Sequence, residues 1–528
     1  METNISHLPN EILIQILKNL DGRTKLIASQ VCKRWLNALN YRDLLHDITF
    51  VVQDEESVKS LFNLTRQFIR LRFHSIMIHD NVLQFLKENR NQFFGLSFID
   101  CYMDKTRFER NLEDRIPTCN NLQYLISKKC DAYALFTSLP KLNFLHLHHS
   151  CSFTDWDFHE LHKTMPHLKT LKLQVNVACD PRAYRRFYNK GRTLENRPSD
   201  MILSFPAVRN FIAKRSTTLK YLCVNNTNLT PEGMIEISKL PGLKLEEAVF
   251  NCYFLPELLD EFCRNQPHLR IVNLTHLLRI TDESLVSVCH TLKNLHHLEI
   301  MHKNGFNHSV KEIFKLDRLR VLRLDYCQGI SPTCFKEAIS QTRITNLEDL
   351  DLGYTYLNDE TLRALLAQNK DLINLNISGT EVSDETLNLI FKTHTKLKYL
   401  GLSFCECISN WALTGEIKRK RRRIELLNDN CGAWGDTMDV EIDVVNDNVS
   451  ATVPLSNLKD LQTLDLSFNF QLSPDALLKA IHFPYLKKLY IMRHKECMFS
   501  PSYDQTLRGQ NPSLKELIYT NSLKEIKT

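Results

Sequence analysis

Leucines at positions 1, 4 and 6 of the pattern LxxLxL, followed two residues later by Cys, Asn, Thr or another small or polar residue, recur along most of this sequence. The clearest copies begin at Leu142, Leu168, Leu219, Leu269, Leu295, Leu319, Leu347, Leu372, Leu397, Leu461 and Leu486, with looser ones at Leu122, Leu245 and Leu514. Weaker copies at Leu45, Phe73 and Phe93 carry the pattern toward the N-terminus. From Leu219 to Leu397 successive anchors lie 24 to 28 residues apart. A fixed period of that size constrains the fold, because one short unit cannot bury its own apolar face and must stack on its neighbours.

The second half of each unit is as regular as the first. An apolar residue, a helix-capping type and then Asp or Pro appear in LTPEGM (229–234), ITDESL (280–285), ISPTCF (330–335), LNDETL (357–362), VSDETL (382–387) and LSPDAL (472–477). Thr230, Thr281, Ser331, Asn358, Ser383 and Ser473 can each accept a hydrogen bond from an orphan backbone N–H. Pro231, Pro332 and Pro474 suit a first helical position, and Asp282, Asp359 and Asp384 complement the positive helix end. The spacing therefore predicts an α/β solenoid: one strand and one helix per turn, a curved parallel sheet inside and helices on the convex face.

These motifs resemble the leucine-rich-repeat family, and the repeat length with its ITDxxL-type helix start resembles the cysteine-containing subclass. Cys101, Cys130, Cys327 and Cys405 fall where that subclass places Cys or Asn. They are expected to be structural, since a free cysteine is usually a small buried hydrophobe.

Composition argues against the common motif-bearing chemistries. Only 14 of 528 residues are glycine, and GxGxxG, GxxxxGK[ST] and GxSxG are absent; His159-Glu160-Leu161-His162 is one residue short of the HExxH zinc spacing. No cofactor is expected, and no enzymatic activity of the chain itself. His146 and His148 share one strand face, with His149, His159 and His162 nearby, but no carboxylate or Cys at matched spacing completes a zinc set. The net charge of +6 is too small over this length for a nucleic-acid footprint. The start METNISHLPNEIL lacks a basic n-region, and no run of 18 apolar residues exists. The chain is expected to be cytoplasmic and/or nuclear, with its cysteines reduced.

Two gaps interrupt the period. From Leu168 to Leu219 is 51 residues with no anchor between, and near 178–200 Arg182, Arg185, Arg186, Lys190, Arg192 and Arg197 interleave with Tyr184, Phe187 and Tyr188. That stretch reads either as a solvated loop or as a binder of acidic or phosphorylated segments through Arg pairs. After it, Ile202, Phe205, Val208, Phe211 and Ile212 read as a helix rejoining the coil. From Leu397 to Leu461 is 64 residues, with an insertion near 414–455 holding Lys418, Arg419, Lys420, Arg421, Arg422 and Arg423 and then an acidic tract. The basic run resembles a nuclear-import signal; the other readings are a charged face of a helix over 411–427 or a loop neutralised by its acidic half. Alternating Val440, Ile442 and Val444 can also add as a strand to a partner's sheet edge.

Residues 1–50 read differently. Ile12, Leu13, Ile16, Leu17 and Leu20 have the one-sided spacing of an amphipathic helix introduced by Pro9 and stopped by Asp21-Gly22. Leu26, Ile27, Ala28, Val31 and Cys32 form a second apolar run ending in Trp35. Some forty residues bury little core alone, so their remaining apolar surface should meet a partner. In detail LPNEIL, ILKNL and VCKRW in register resemble the F-box, although that family often has Phe where Leu17 stands and Trp near Leu45 and His46. The resemblance implies that Leu8, Pro9, Ile12, Ile16, Leu17, Leu20, Val31, Cys32 and Trp35 form, or directly support, the contact with a Skp-type adaptor, and through it with a cullin and a RING protein.

The chain is thus expected to comprise an F-box over 1–50, degenerate repeats over 51–119 and a solenoid over 120–523. By resemblance it is a non-catalytic substrate receptor of a Skp-cullin-F-box type ubiquitin ligase. The alternative is a scaffold that binds the adaptor without promoting ubiquitin transfer. Between the leucines, side chains point away from the core, so the concave face should present Arg323, Asp325, Tyr326, Asp351, Tyr354, Asn376, Tyr399, Phe404, Asp465 and Phe468 to a protein substrate. Aromatic and charged residues interleave there as binding hot spots favour.

Overall fold

A computed structural model describes residues 8–62, 68–104, 107–108, 111–148, 154–174, 204–225, 231–249, 255–275, 277, 280–301, 307–342, 344–415, 422–423, 439–440, 452–492 and 501–518. The chain divides into two compact units, Met1–Leu269 and Arg270–Thr528. In the first, strands Phe50–Val52, Arg70–His74, Gly95–Ile99, Tyr124–Lys128, Phe144–His148, Thr170–Gln174, Tyr221–Asn225 and Glu247–Val249 pair in chain order, every neighbour parallel. In the second, Ile271–Asn273, His297–Glu299, Val321–Arg323, Asp349–Asp351, Asn374–Asn376, Tyr399–Gly401, Thr463–Asp465, Lys488–Tyr490 and Glu516–Ile518 do the same. Both units build α/β solenoid turns of strand then helix, as the repeat predicts, except that short 3₁₀ segments, Leu112–Asp114 and Ala132–Leu135, follow the strands Gly95–Ile99 and Tyr124–Lys128.

The leucine spacing explains the coil. Leu319, Leu322 and Leu324, Leu347, Leu350 and Leu352, and Leu397, Leu400 and Leu402 are all fully buried. Positions 4 and 6 flank a strand residue that faces the other way, and position 1 enters from the turn before it. Parallel neighbours then stack leucine on leucine, each burial contributing about 2 kcal/mol.

Where the chain leaves the strand, the ladder side chain returns to the backbone. The Cys101, Cys130, Cys327 and Cys405 thiols donate to the carbonyls of Phe73, Phe98, Ile300 and Ile377 in the preceding turn, at 3.4–3.7 Å. Burial pushes the Cys101 thiol up to about 11 and that of Cys405 to about 12, so they remain protonated donors rather than nucleophiles. Thr355, Thr380 and Asn469 hold the same position, bonding Leu352, Ile377 and Leu402 carbonyls.

The helix starts follow their caps. Thr281, Ser331, Asn358, Ser383 and Ser473 each accept from the N–H three residues on; Thr230 lies outside the described residues. The aspartates after the caps have a second task that dipole reasoning did not anticipate. Asp359 accepts from Ser383 N–H and Oγ of the next turn, at 2.7 and 2.8 Å, and Asp384 does the same for Ser409 at 2.8 and 2.7 Å. Asp282 accepts from the N–H groups of Asn307, His308 and Ser309. One helix start therefore caps the next.

Both gaps in the period are bridged by this same bonding. Thr170–Gln174 pairs directly with Tyr221–Asn225, and Asp155 accepts from Ser204 N–H and Oγ. The helix after the first gap, Phe205–Ala213, is followed by Arg215, only 1% exposed, whose guanidinium donates to the carbonyls of Leu161, Met165 and Phe211. Across the second gap Tyr399–Gly401 pairs with Thr463–Asp465, and Asn410 accepts from Ser473 N–H.

Candidate functional site

The N-terminal residues form three short helices, α1 (Asn10–Lys18), α2 (Gly22–Ala28) and α3 (Lys33–Leu39). Leu13 and Leu17 of α1 join Ala28, Ala38, Leu39 and Leu44 in a small core, with Ile14, Leu20 and Trp35 packed against it. Asp21 caps α2 by accepting from Thr24 N–H. The second apolar run is not one helix: α2 ends at Ala28, and Val31 and Cys32 occupy the turn before α3. Arg34 donates to Asn10 Oδ1 at 3.0 Å and to the Leu8 carbonyl, which fixes the start of α1 against α3.

The nine residues singled out at this end fall into two groups. Leu17 is buried, Leu20 and Trp35 are half-buried against the core, and Leu8 is half-buried. Pro9, Ile12, Ile16, Val31 and Cys32 are exposed, with Ile12 41%, Ile16 38% and Val31 61% accessible. Ile27, 59% exposed, was not among the nine. Its signal was available, since it precedes Val31 by four residues in the same apolar run.

The three helices are fastened to the first strands. Lys25, almost fully buried, reaches Asp47 at 2.9 Å. Leu45, Ile48 and Ile69 form a second cluster with Leu26, Phe50 and Phe94 against it, and the His46 ring meets Phe94 edge-on at 4.3 Å. Burial, then the nearby Arg70, lowers the His46 pKa.

In the second unit, the predicted substrate residues separate by backbone position. Arg323, Asp351, Asn376, Tyr399 and Asp465 lie on strands, Asp325 just after one. Tyr326, Tyr354, Phe404 and Phe468 are not strand residues. They occupy the left-handed corner that follows, with φ of 55, 54, 56 and 62°, and Gly379 takes the equivalent place at 65°. Turning the chain off the strand in this way lines the rings up. Tyr326 and Tyr354 stack at 4.4 Å and 6°, Tyr354 meets Phe404 edge-on at 6.0 Å, and Phe404 stacks on Phe468 at 4.2 Å and 10°. Gly379 permits this, because a Cβ there would lie 2.5 Å from Tyr354 Cδ1.

Beside the rings runs a carboxylate row. Arg323 is engaged by Asp349 at 2.9 Å and approaches Glu299 at 3.8 Å. Asn376 Nδ2 donates to Asp351 at 2.9 Å, Gly353 N–H donates to the same oxygen, and Ser467 N–H donates to Asp465. Desolvation and then the negative Asp351 push Asp325 up to about 7. Burial, then Asp465 and Asp351, raises Tyr399, while burial brings Tyr354 to about 12. Gly353 leaves space that Asp325, Asp351 and Asn376 share; a Cβ there would come within 2.9 Å of Asp325 and Asn376.

The remaining candidates resolve unevenly. His146 and His148 lie edge to face at 6.1 Å, and burial, then Lys128, lowers His146 to about 4. Among the described residues no group of three His, Cys, Asp or Glu is arranged to hold a metal, and no helix is long and apolar enough to cross a membrane. Lys418, Arg419, Lys420, Arg421, Ile442 and Val444 lie outside the described residues, as does the 178–200 stretch. A helix over 411–427 does not form: Asn410–Thr414 ends on left-handed Gly415, and Arg422–Arg423 pairs antiparallel with Asp439–Val440.

Residues 5–50 match the F-box-like family model, so an F-box-like domain opens the chain. Three solved structures are similar over much of the length. A chain of the yeast Rad7 and Elc1 complex shares 15% identity over 66% of this chain and 90% of its own, with a TM-score of 0.34. A chain of the TLR13–ssRNA13 complex shares 14% over 91% of this chain and 68% of its own, at 0.40. An internalin from Listeria monocytogenes shares 16% over 67% of this chain and 89% of its own, at 0.35.

Proposed function

We propose that this chain is a substrate receptor of a Skp-cullin-F-box type ubiquitin ligase, its F-box-like domain binding the Skp-type adaptor and its late repeats binding the substrate. The observation that carries the reading is the apolar surface of Ile12, Ile16, Ile27 and Val31, left exposed on a domain matching the F-box-like family. A domain this small has core enough for Leu13, Leu17, Ala28, Ala38 and Leu39, and its outward isoleucines are explained by a partner. In this reading the chain catalyses nothing. It raises the effective concentration of substrate lysines near a conjugating enzyme held by the cullin and its RING protein.

The test is co-purification from cells of the intact chain and of an Ile12→Asp, Ile16→Asp variant, probed for adaptor and cullin. Both side chains are exposed, so the core survives, while two charges on a contact patch should reduce adaptor recovery at least tenfold, on the order of the cost of an interfacial hot spot. Adaptor and cullin with the intact chain only is the expected result. Adaptor without cullin would favour the scaffold, and equal recovery with both chains would refute the assignment.

Two finer assignments go with this reading. The repeats belong to the cysteine-containing subclass, supported by the thiol-to-carbonyl bonds of Cys101, Cys130, Cys327 and Cys405. The protein works in the cytoplasm, the nucleus or both, with Lys418–Arg423 as the candidate import signal. Imaging a chain lacking 418–423 should show loss of nuclear signal, and an unchanged distribution would sink that assignment.

A further inference from the structure

We propose that the late-repeat face takes an extended, basic substrate segment, its chain lying along the aromatic band Tyr326–Tyr354–Phe404–Phe468 and its Arg or Lys side chains reaching Asp325 and Asp351. This rests on the receptor reading above and names its substrate class.

The band supplies the first half of the argument. Four rings in consecutive contact cross the repeats from Tyr326 to Phe468, and Phe404 is exposed. Burying a leucine core does not require rings at these corners: in the first unit Ser75, Asp100 and Lys129 adopt the same left-handed conformation. Such rigid rings offer contact area at low entropic cost.

The carboxylates supply the second half. Arg323 is already engaged by Asp349 and approaches Glu299. Asp325 is half-buried against Asp351 with no cation beside it among the described residues. Taking a carboxylate out of water next to a second one is costly unless a cation arrives. An incoming guanidinium or ammonium would offset that cost. An acidic segment would add repulsion at the same place. The chain as a whole carries +6, so its overall field favours acidic ligands, and a preference for basic ones must arise locally.

The experiment titrates the full-length protein with two synthetic peptides of equal length, alike in Leu, Ser and Gly content, one carrying Arg and Lys and the other Asp and Glu. The basic peptide should bind, more weakly as salt rises, and the acidic one should not. Asp325→Asn with Asp351→Asn should weaken the basic peptide by about tenfold or more, as losing a partly desolvated charge pair does; Phe404→Ala should weaken it as well. Thermal unfolding confirms that the variants fold, and if the double variant does not, Asp325→Asn alone decides. Equal binding of the two peptides, or undiminished binding by the aspartate variants, overturns the inference. Adaptor and cullin recovery run in parallel separates this failure from failure of the receptor reading, since neither aspartate lies in the F-box-like domain.

Discussion

Gly379 offers the sharpest check on how the aromatic band is built. In Gly379→Ala the new Cβ would meet Tyr354 Cδ1 at 2.5 Å and Cε1 at 2.8 Å. Ordinary carbon contacts lie near 3.5–4.0 Å, so the ring must withdraw by about 1 Å. Two costs follow. A left-handed alanine is worth about 1–2 kcal/mol against glycine, and loss of the Tyr326–Tyr354 stack adds about 0.5–1.5 kcal/mol. A total near 2–3 kcal/mol should appear as roughly 30- to 150-fold faster local hydrogen exchange. The reporters are the amides of Tyr354 and Gly379, which donate to the Ser378 and Ser403 carbonyls at 2.7 Å. In a Tyr354→Ala background the overlap is gone, and Gly379→Ala should then cost only the backbone share. If the glycine substitution costs the same in both backgrounds, ring overlap is not what glycine relieves, and the account of the band fails.

Two further predictions concern the repeats. Asp384→Ala removes both bonds to Ser409 and should destabilise the turns around it by about 2 kcal/mol; exchange confined to residues near 409 would locate the loss, and protection equal to the parent's would count against inter-turn capping. His394 is buried, its Nε2 donating to the Asn369 carbonyl at 3.0 Å, and burial lowers its pKa below 6.5. Its contribution is therefore present above 6.5 and is lost as pH falls from there toward the folded-state pKa. The urea midpoint should drop between neutrality and about pH 5 in the parent and less in His394→Gln; equal slopes would refute the assignment.

What the sequence made legible follows from where each signal is stored. Leucine spacing and helix caps are local and periodic, so strands such as Val321–Arg323 and helices such as Asp384–Thr393 could be read without coordinates. The inter-turn role of Asp359 and Asp384 was hidden, because its partner lies about 24 residues on and a carboxylate after a cap already has a sufficient local reason in the helix dipole. The same holds for the aromatic band. Tyr354 and Phe404 were visible as candidate surface residues, but a positive φ is not written in an aromatic side chain, and strand alternation assigned them to the wrong part of the turn. At the N-terminus, amphipathic spacing marked Ile12, Ile16 and Leu17 alike. Only packing separates the buried Leu17 from the exposed isoleucines.

The two gaps show why a solenoid of this kind can acquire new segments. Strand pairing and capping both jump them: Gln174 is registered on Asn225, and Asn410 caps Ser473. The strands on either side of each gap pair directly, with no strand between them in the sheet. Lengthening such a connection costs little, about 0.6 kcal/mol for each doubling of a flexible loop, whereas losing one buried leucine of the ladder costs about 2–5 kcal/mol. A change at a ladder leucine therefore costs more than a change of length between two paired strands.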